Sequence, residues 1–353
     1  MTETEDGVYK PNSVIAIASS FEGIFNNGAQ ECALTTFNAY RTVPNKSKEF
    51  IQKYEDSEKI EEKLASIDNC NVYKILSGEI IEPENFNEYK GNDEVRAFLA
   101  LRPLVKKAFE YFFVIDAIRT NTREAQNILN DPNDIDSYDV LIETFNRINN
   151  STSPELKKAL DTRFYTERKR MQKTNYDGWL GTQEPFEDTI NEMIKLTKTW
   201  ELDEDKNIIS GFIPRFATSK DEGSTYDLCT FYVKMKKLGE EFVSDEGAVR
   251  CIIPKDGIIG KETIPSREDV ERMDYIADDL GLPKEQVWRM DDRYDPDDIE
   301  KLNEAGYEHI ILTRGYTFPH DFEKANNDDR ILVIENRGEM AKKLGEYAEE
   351  HGF

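Results

Sequence analysis

The sequence has few cysteines, lacks the marks of an exported protein and contains no long apolar run. Only four of its 353 residues are cysteine, Cys32, Cys70, Cys229 and Cys251, and no two of them form a CxxC pair. This number and spacing argue against a disulfide framework. The N-terminus lacks the basic stretch and apolar segment of a signal peptide, and no apolar run approaches the roughly 20 residues that cross a bilayer. We therefore expect a cytoplasmic protein with no membrane segment.

Basic side chains are also scarce. The chain has 46 Lys and Arg against 71 Asp and Glu, so its formal net charge is 46 minus 71, or -25. A surface of this sign repels phosphate backbones and anionic lipid over most of its area. We therefore expect no nucleic-acid partner and no membrane partner.

The pattern of apolar residues predicts an α/β fold. Residues 13–18 have the composition of a buried strand, which ends in small polar residues and Gly23. Long helical periodicities follow, and alternating strand and helix patterns then return. We predict an open, parallel, Rossmann-like sheet built from residues 1–27 and 176–353, with a helical cap domain of residues 28–175 inserted after the first strand.

The individual elements follow from the same patterns. The predicted helices of the insertion include residues 46–67, 93–129, 137–148 and 154–173. The strands predicted after the insertion are residues 208–217, 249–253, 286–290, 310–313 and 331–334.

Polar residues of the types found in catalytic and ligand-binding sites follow several of these strands. The first predicted strand leads into Ser19-Ser20-Phe21-Glu22-Gly23, and a later strand leads into Thr218-Ser219-Lys220. Gly260-Lys261-Glu262 precedes a helix, and Met290-Asp291-Asp292 ends another strand. The carboxyl ends of parallel strands meet at one edge of a sheet, so we expect these stretches to lie close together. Open α/β proteins bind their ligands at this edge.

Taken in order, these four stretches resemble the motifs of the haloacid dehalogenase-like (HAD-like) superfamily with a helical cap of the first type. That family's first strand ends in Asp-x-Asp-Gly, and its later motifs are Ser/Thr, Lys and paired acids. The resemblance places Ser20 at the nucleophilic Asp and Glu22 at the second, acid/base Asp. Both family carboxylates are therefore altered in this chain.

The same resemblance implies roles for the other positions. Thr218 or Ser219 would bind a phosphate oxygen, and Lys261 would balance charge on the nucleophile and phosphate. Magnesium would be held by Glu22, Asp291 and Asp292, although Ser20 removes one negative ligand, so we expect weaker binding of Mg2+. Met290 replaces the glycine that the family usually has before the first of the paired acids in its last motif.

A serine at the nucleophile position changes the expected chemistry. Serine is neutral near pH 7 and attacks phosphorus poorly unless a base removes its proton, and Glu22 is the only nearby candidate in the sequence. Phosphoserine is also a less activated ester than an acyl phosphate. Turnover should therefore stall after a first transfer.

Three functions remain open at the level of sequence. The first is a non-catalytic or very weak phosphatase relative that binds a small phosphorylated metabolite. The second is a Mg2+-dependent phosphoester hydrolase in which Glu22 or Asp291 activates water for direct attack. The third is a scaffold for protein interaction that uses the surface of the cap.

Each of these residues also has a purely structural interpretation. Ser20 is a small residue of the kind that ends a strand, Glu22 is either a relic or a ligand, and Lys261 is either a site residue or a surface lysine. Asp291 and Asp292 belong to an acidic run that also suits the start of a helix.

Overall fold

The computed structural model describes residues 3–41, 80–205, 207–218, 220–234, 253, 255–266, 268–313 and 315–353. The chain divides into two compact units. Unit 1 consists of Met1–Asn27 and Glu184–Phe353, and unit 2 consists of Gly28–Gln183. Unit 2 is therefore continuous in sequence, and unit 1 is assembled from the segments on either side of it.

Unit 1 contains a mainly parallel mixed sheet, for which the described residues supply seven strands. These strands are β1 (Val14–Ser19), β4 (Glu201–Leu202), β5 (Ile208–Ala217), β6 (Ile258–Ile259), β7 (Val287–Asp291), β8 (Ile310–Thr313) and β9 (Ile331–Ile334). Two further short strands, β2 (Asn26–Asn27) and β3 (Glu184–Pro185), form a separate antiparallel pair.

The strand order across the sheet is β4-β5-β1-β7-β8-β9, and β6 pairs with the carboxyl end of β5. Among these seven described strands, only β4 runs antiparallel to its neighbour. The prediction of an α/β fold with a largely parallel sheet is thus confirmed, and the sheet is compatible with a Rossmann-like core.

β1 is an interior strand of this sheet. It pairs in parallel with β5 on one side and with β7 on the other, so that Ser19 lies opposite both Phe216 and Met290. Its residues are buried from the second position onward. A strand covered on both faces requires an unbroken apolar sequence, which is why Val-Ile-Ala-Ile-Ala forms it.

The helices are numbered along the chain. Those of unit 2 are α1 (Ala29–Arg41), α2 (Asp93–Ala100), α3 (Glu110–Thr120), α4 (Thr122–Asn130), α5 (Ile135–Ser151), α6 (Pro154–Thr174) and α7 (Tyr176–Gly181). Those of unit 1 are α8 (Glu187–Thr197), α9 (Glu222–Lys234), α10 (Asp269–Leu280), α11 (Pro296–Glu304), α12 (Pro319–Asn326) and α13 (Met340–Glu350). Within the described residues, no helix is both long enough and apolar enough to cross a membrane.

Aromatic ring contacts and buried ion pairs, among them one between α1 and α6, stabilise unit 2. Phe98 stacks on Tyr111 with ring centroids 5.7 Å apart, and Tyr111 stacks on Phe164 at 5.2 Å. Glu31 of α1, which is fully buried, accepts hydrogen bonds from the guanidinium of Arg168 in α6 at 2.9 and 2.5 Å. Such a pair fixes the facing surfaces of two helices, because either charge alone would be strongly destabilising there.

Several predicted elements differ from the observed ones. The predicted helix over residues 93–129 is divided into α2, α3 and α4, with a short 3-10 turn at Arg102–Leu104 between the first two. Pro103 accounts for the first break, because proline lacks the N–H that an α-helix needs and clashes with the preceding turn. The predicted helix 46–67 lies outside the described residues, as does the predicted strand 249–253 apart from residue 253.

Candidate functional site

The carboxyl ends of β1, β5, β6 and β7 meet at one edge of the sheet in unit 1. The chain passes from β1 to β5 and β6 on one side, and later returns to β7 on the other side of β1. This reversal of direction next to β1 is a topological switch point, where side chains after the strand ends surround a crevice. Ser20, Thr218, Lys261 and Asp291 all lie at or just beyond these strand ends.

Ser20 is fixed by β7. Its backbone N–H donates to the carbonyl of Met290 at 3.0 Å, and its hydroxyl oxygen accepts a hydrogen bond from Nη2 of Arg289 at 2.8 Å. The guanidinium stays protonated at any ordinary pH, so this neighbour is a donor and cannot act as a base.

Arg289 is the centre of a buried polar cluster. It comes from the middle of β7, and only 3% of the residue is exposed. Its Nη2 lies 3.0 Å from a carboxylate oxygen of Asp269 and 2.5 Å from one of Asp291. Its Nη1 donates to the carbonyl oxygens of Ala18 and Met290, each at 3.1 Å. The side chain therefore ties the ends of β1 and β7 to the first turn of α10.

The ionisation of this cluster follows from its charges. Burial acts to lower the pKa of Arg289, but Asp269 and Asp291 raise it by more, so the net shift is upward. Burial acts to raise the pKa of Asp291, but Arg289 and the N–H of Asp292 hold it below its usual range. Both groups are consequently charged near neutral pH.

Asp292 has a different role from its neighbour. It is 4% exposed, and its Oδ2 accepts the backbone N–H of Tyr316 at 3.0 Å. The hydroxyl of Thr317 donates to its carbonyl oxygen. A methyl group placed on Gly23 would lie 1.8 Å from the Asp292 carboxylate. Asp292 thus joins the loop after β8 to the turn after β1.

Glu22 pairs with a lysine that sequence analysis did not select. Its carboxylate forms an ion pair with Lys220 and accepts a hydrogen bond from the side-chain amide of Asn26 at 2.8 Å. The hydroxyl of Tyr232 donates to the same Asn26 side chain. Burial, and then the charge of Glu22, raise the pKa of Tyr232 well above its usual value.

Thr218 and Lys261 lie on the side of β1 opposite to β7. Thr218 follows the end of β5, and Lys261 follows the end of β6. Thr218 is 4% exposed, and its hydroxyl oxygen accepts the backbone N–H of Lys220 at 3.1 Å. The side chain of Lys261 is 41% exposed, and its Nζ lies 3.6 Å from Asp221. Ser219, the other predicted phosphate ligand, lies outside the described residues.

The position of Lys261 has a local cause. The carboxylate of Glu222, at the start of α9, accepts the backbone N–H groups of Gly260 and Thr263 at 3.0 and 2.9 Å. These two bonds hold the loop of Lys261 against α9, so its ammonium group faces Asp221. The structure therefore groups Ser20 with Asp291 and Glu22 with Lys220, while Lys261 joins Asp221.

Sequence reasoning missed Arg289, Asp269 and Lys220. Arg289 carried a usable signal, because a charged residue in the buried strand Val-Trp-Arg-Met-Asp requires a partner. Its spacing of two from Asp291 also places both side chains on one face of the strand. Asp269 gave no such signal, because an acid in the first turn of a helix is ordinary.

The three side chains predicted to bind magnesium already have other partners. Asp291 accepts from Arg289, Glu22 pairs with Lys220, and Asp292 is buried against the turn at Gly23. Among the residues that the structure describes, no group of three or more His, Cys, Asp or Glu side chains is arranged to hold a metal ion. As arranged here, these carboxylates do not fit Mg2+, which needs an open set of oxygen ligands.

Comparison of the chain with protein-family models, with curated proteins and with solved structures finds no match. The HAD-like resemblance therefore stays a prediction, and any function must be argued from the side chains themselves.

Proposed function

We propose that this chain is a HAD-like relative of the phosphatases that binds a small phosphorylated metabolite and does not turn it over. Its role would be sensing or regulation. The observation that carries the proposal is the hydrogen bond from Arg289 to the hydroxyl of Ser20, the residue at the nucleophile position. The order of the strands and the placement of Ser20, Thr218 and Asp291 at their carboxyl ends support it further.

Attack by Ser20 on phosphorus would require a base. Arg289 cannot accept the proton, and Asp291 is stabilised in its charged form by the same guanidinium. The lowered pKa of Asp291 makes it a weaker base for this proton. The carboxylate of Glu22 is engaged by its ion pair with Lys220 and by the hydrogen bond from the side chain of Asn26.

Binding is chemically easier than turnover at this edge. The ammonium group of Lys220 and the hydroxyls of Ser20 and Thr218 are groups that hydrogen-bond phosphate oxygens. Lys220 is 14% exposed in its side chain, and its ion pair with Glu22 would be shared with a bound dianion. We expect these three residues to contact the phosphate.

The test is a binding and turnover measurement on the full chain. A panel of phosphomonoesters, with p-nitrophenyl phosphate and inorganic phosphate as simple probes, is titrated by calorimetry while phosphate release is followed in parallel. We expect saturable binding of at least one phosphoester with no release beyond one equivalent. Ser20→Asp should weaken that binding by at least about tenfold, because it places a carboxylate beside the dianion.

Ser151→Asp is the matched control, since Ser151 is an exposed serine at the end of α5 in unit 2. It should bind phosphoesters as the native chain does. Failure of every phosphoester to bind would exclude the proposal and leave the scaffold function. Many turnovers by the native chain that Asp291→Asn abolishes would show that the protein is a hydrolase instead.

A further inference from the structure

Each carboxylate in contact with Arg289 is paired with at least one guanidinium. Arg272, which is 3% exposed in its side chain, lies 2.8 Å from one carboxylate oxygen of Asp269, and Arg289 lies 3.0 Å from the other. Asp291 contacts the same Nη2 of Arg289, at 2.5 Å. The charges of these four side chains, two arginines and two aspartates in direct contact, sum to zero, so each of the two carboxylates already has a guanidinium as its counter-charge.

Carboxylates brought together at the end of a sheet need a counter-charge. Two such groups within one guanidinium's reach would repel each other and take up protons if no cation stood between them. A divalent ion is one solution and a buried arginine is another, because the guanidinium has five donors and holds its charge at all ordinary pH values. The two terminal nitrogens of Arg289 contact two carboxylates, one hydroxyl and two strand-end carbonyls.

We propose that Arg289 is a built-in substitute for a divalent cation, so that the carboxyl edge of this sheet works without Mg2+. This goes beyond the proposed function, since it concerns the cluster whether or not a phosphoester binds. It also departs from the expectation of weakened magnesium binding that the HAD-like resemblance gives. Removal of the guanidinium should create a magnesium site at Asp269 and Asp291, where the side chains that the structure describes are not arranged to hold a metal ion in the native chain.

The experiment compares thermal unfolding of the native chain and of Arg289→Gln in EDTA, in excess MgCl2 and in NaCl of the same ionic strength. The NaCl sample separates specific binding from screening, which matters for a chain with a net charge of -25. We expect MgCl2 and NaCl to act alike on the native chain. Arg289→Gln should unfold at a lower temperature in EDTA and recover by roughly 2–4 °C with Mg2+ beyond the effect of NaCl.

Arg330→Gln is a matched control. Arg330 also contacts two carboxylates, those of Asp328 and Glu300, but 41% of its side chain is exposed. Its loss should produce no specific response to Mg2+, because water and salt compensate an exposed charge. The double variant Arg289→Gln/Asp291→Asn should likewise not respond, since one carboxylate has been removed along with the arginine.

Two results would overturn the inference. One is a saturable, Mg2+-specific stabilisation of the native chain that Asp291→Asn removes. The other is an Arg289→Gln protein that Mg2+ does not stabilise, or that remains unfolded in Mg2+ while the double variant folds. Calorimetric titration with MgCl2 gives a second readout, in which heat of binding is expected for Arg289→Gln alone.

Discussion

His309 is a buried histidine that reports on the packing of unit 1. It precedes β8, is 6% exposed, and its Nδ1 lies 3.1 Å from the hydroxyl of Tyr347. The rings of Trp288, Phe353 and His351 lie within 5.1 to 5.4 Å of its own. Burial, and then the charge of His351, lower the pKa of His309 to about 4, while Glu285 opposes the shift.

This pKa makes stability depend on pH in a defined window. In the unfolded chain the pKa of a histidine is about 6.5, so between pH 6.5 and 4 the unfolded state binds more protons than the native state. The contribution of His309 is therefore complete above pH 6.5 and is lost as pH falls towards 4. We expect a loss of roughly 2 kcal/mol from this group, after allowance for solvent screening at the ring.

His309→Phe should flatten the decline in stability between pH 6.5 and 4.5, as measured by urea unfolding at several pH values. Carboxylates also contribute to acid unfolding, so the informative quantity is the difference in slope between the two proteins. His351→Gln alters an exposed histidine and should keep most of the native slope. An unchanged slope in His309→Phe would contradict this account.

At the scale of elements, the turn after β1 depends on close packing of backbone against side chain. Gly23 has a φ of 81°, a conformation that L-residues rarely adopt. Its Cα also faces the Asp292 carboxylate, and a methyl group on Gly315 would lie 2.4 Å from the carbonyl oxygen of Gly23. The end of β7, the loop after β8 and the turn after β1 therefore pack so closely that only a glycine hydrogen fits at Gly23 and at Gly315.

Gly23→Ala should destabilise unit 1 by about 3 kcal/mol, because an added methyl group both strains the backbone and collides with Asp292. The control is Gly281→Ala at the end of α10, where φ is 63° and nothing lies within 4 Å of the added carbon. That change carries the backbone cost alone, about 1 kcal/mol. Equal shifts in the urea midpoints of the two variants would show that the contact with Asp292 has no energetic weight.

At the scale of the whole molecule, the net charge of -25 is the dominant electrostatic property. Like charges spread over a folded surface repel one another and destabilise the compact state, and dissolved salt screens this repulsion. The ion pairs of Arg289 with Asp269 and Asp291, and that of Glu22 with Lys220, are largely buried and respond less to salt.

We therefore expect NaCl to raise the unfolding temperature by several degrees between low and physiological ionic strength, as measured by differential scanning calorimetry. The physical reason is that a Debye length of about 30 Å at 0.01 M shrinks to about 8 Å at 0.15 M, so repulsion between distant carboxylates disappears. A fall in unfolding temperature over that range would mean that exposed ion pairs outweigh the repulsion. Measurement at a pH near the sequence pI of about 4.6 is the control, because the net charge and the salt effect should then be small.

The sequence by itself determined the class of fold and the sites where polar chemistry could occur. Apolar runs and helical periodicities are local, so they predicted the strands near residues 14–19, 208–217, 287–291 and 310–313 and the return to alternating elements after a helical segment. The polar residues that follow those strands are equally local. Their approach to one edge follows from parallel pairing, which the alternation of elements implies.

Only the tertiary structure decided which side chains meet. Arg289 reaches Ser20 across 269 residues of sequence and Asp269 across 20, and neither contact has a periodicity that a sequence pattern could reveal. The same is true of the pairing of Glu22 with Lys220 and of Lys261 with Asp221. These partners depend on strand order, on register and on the loop whose backbone N–H groups donate two hydrogen bonds to Glu222. All three are set by packing between elements distant in the chain.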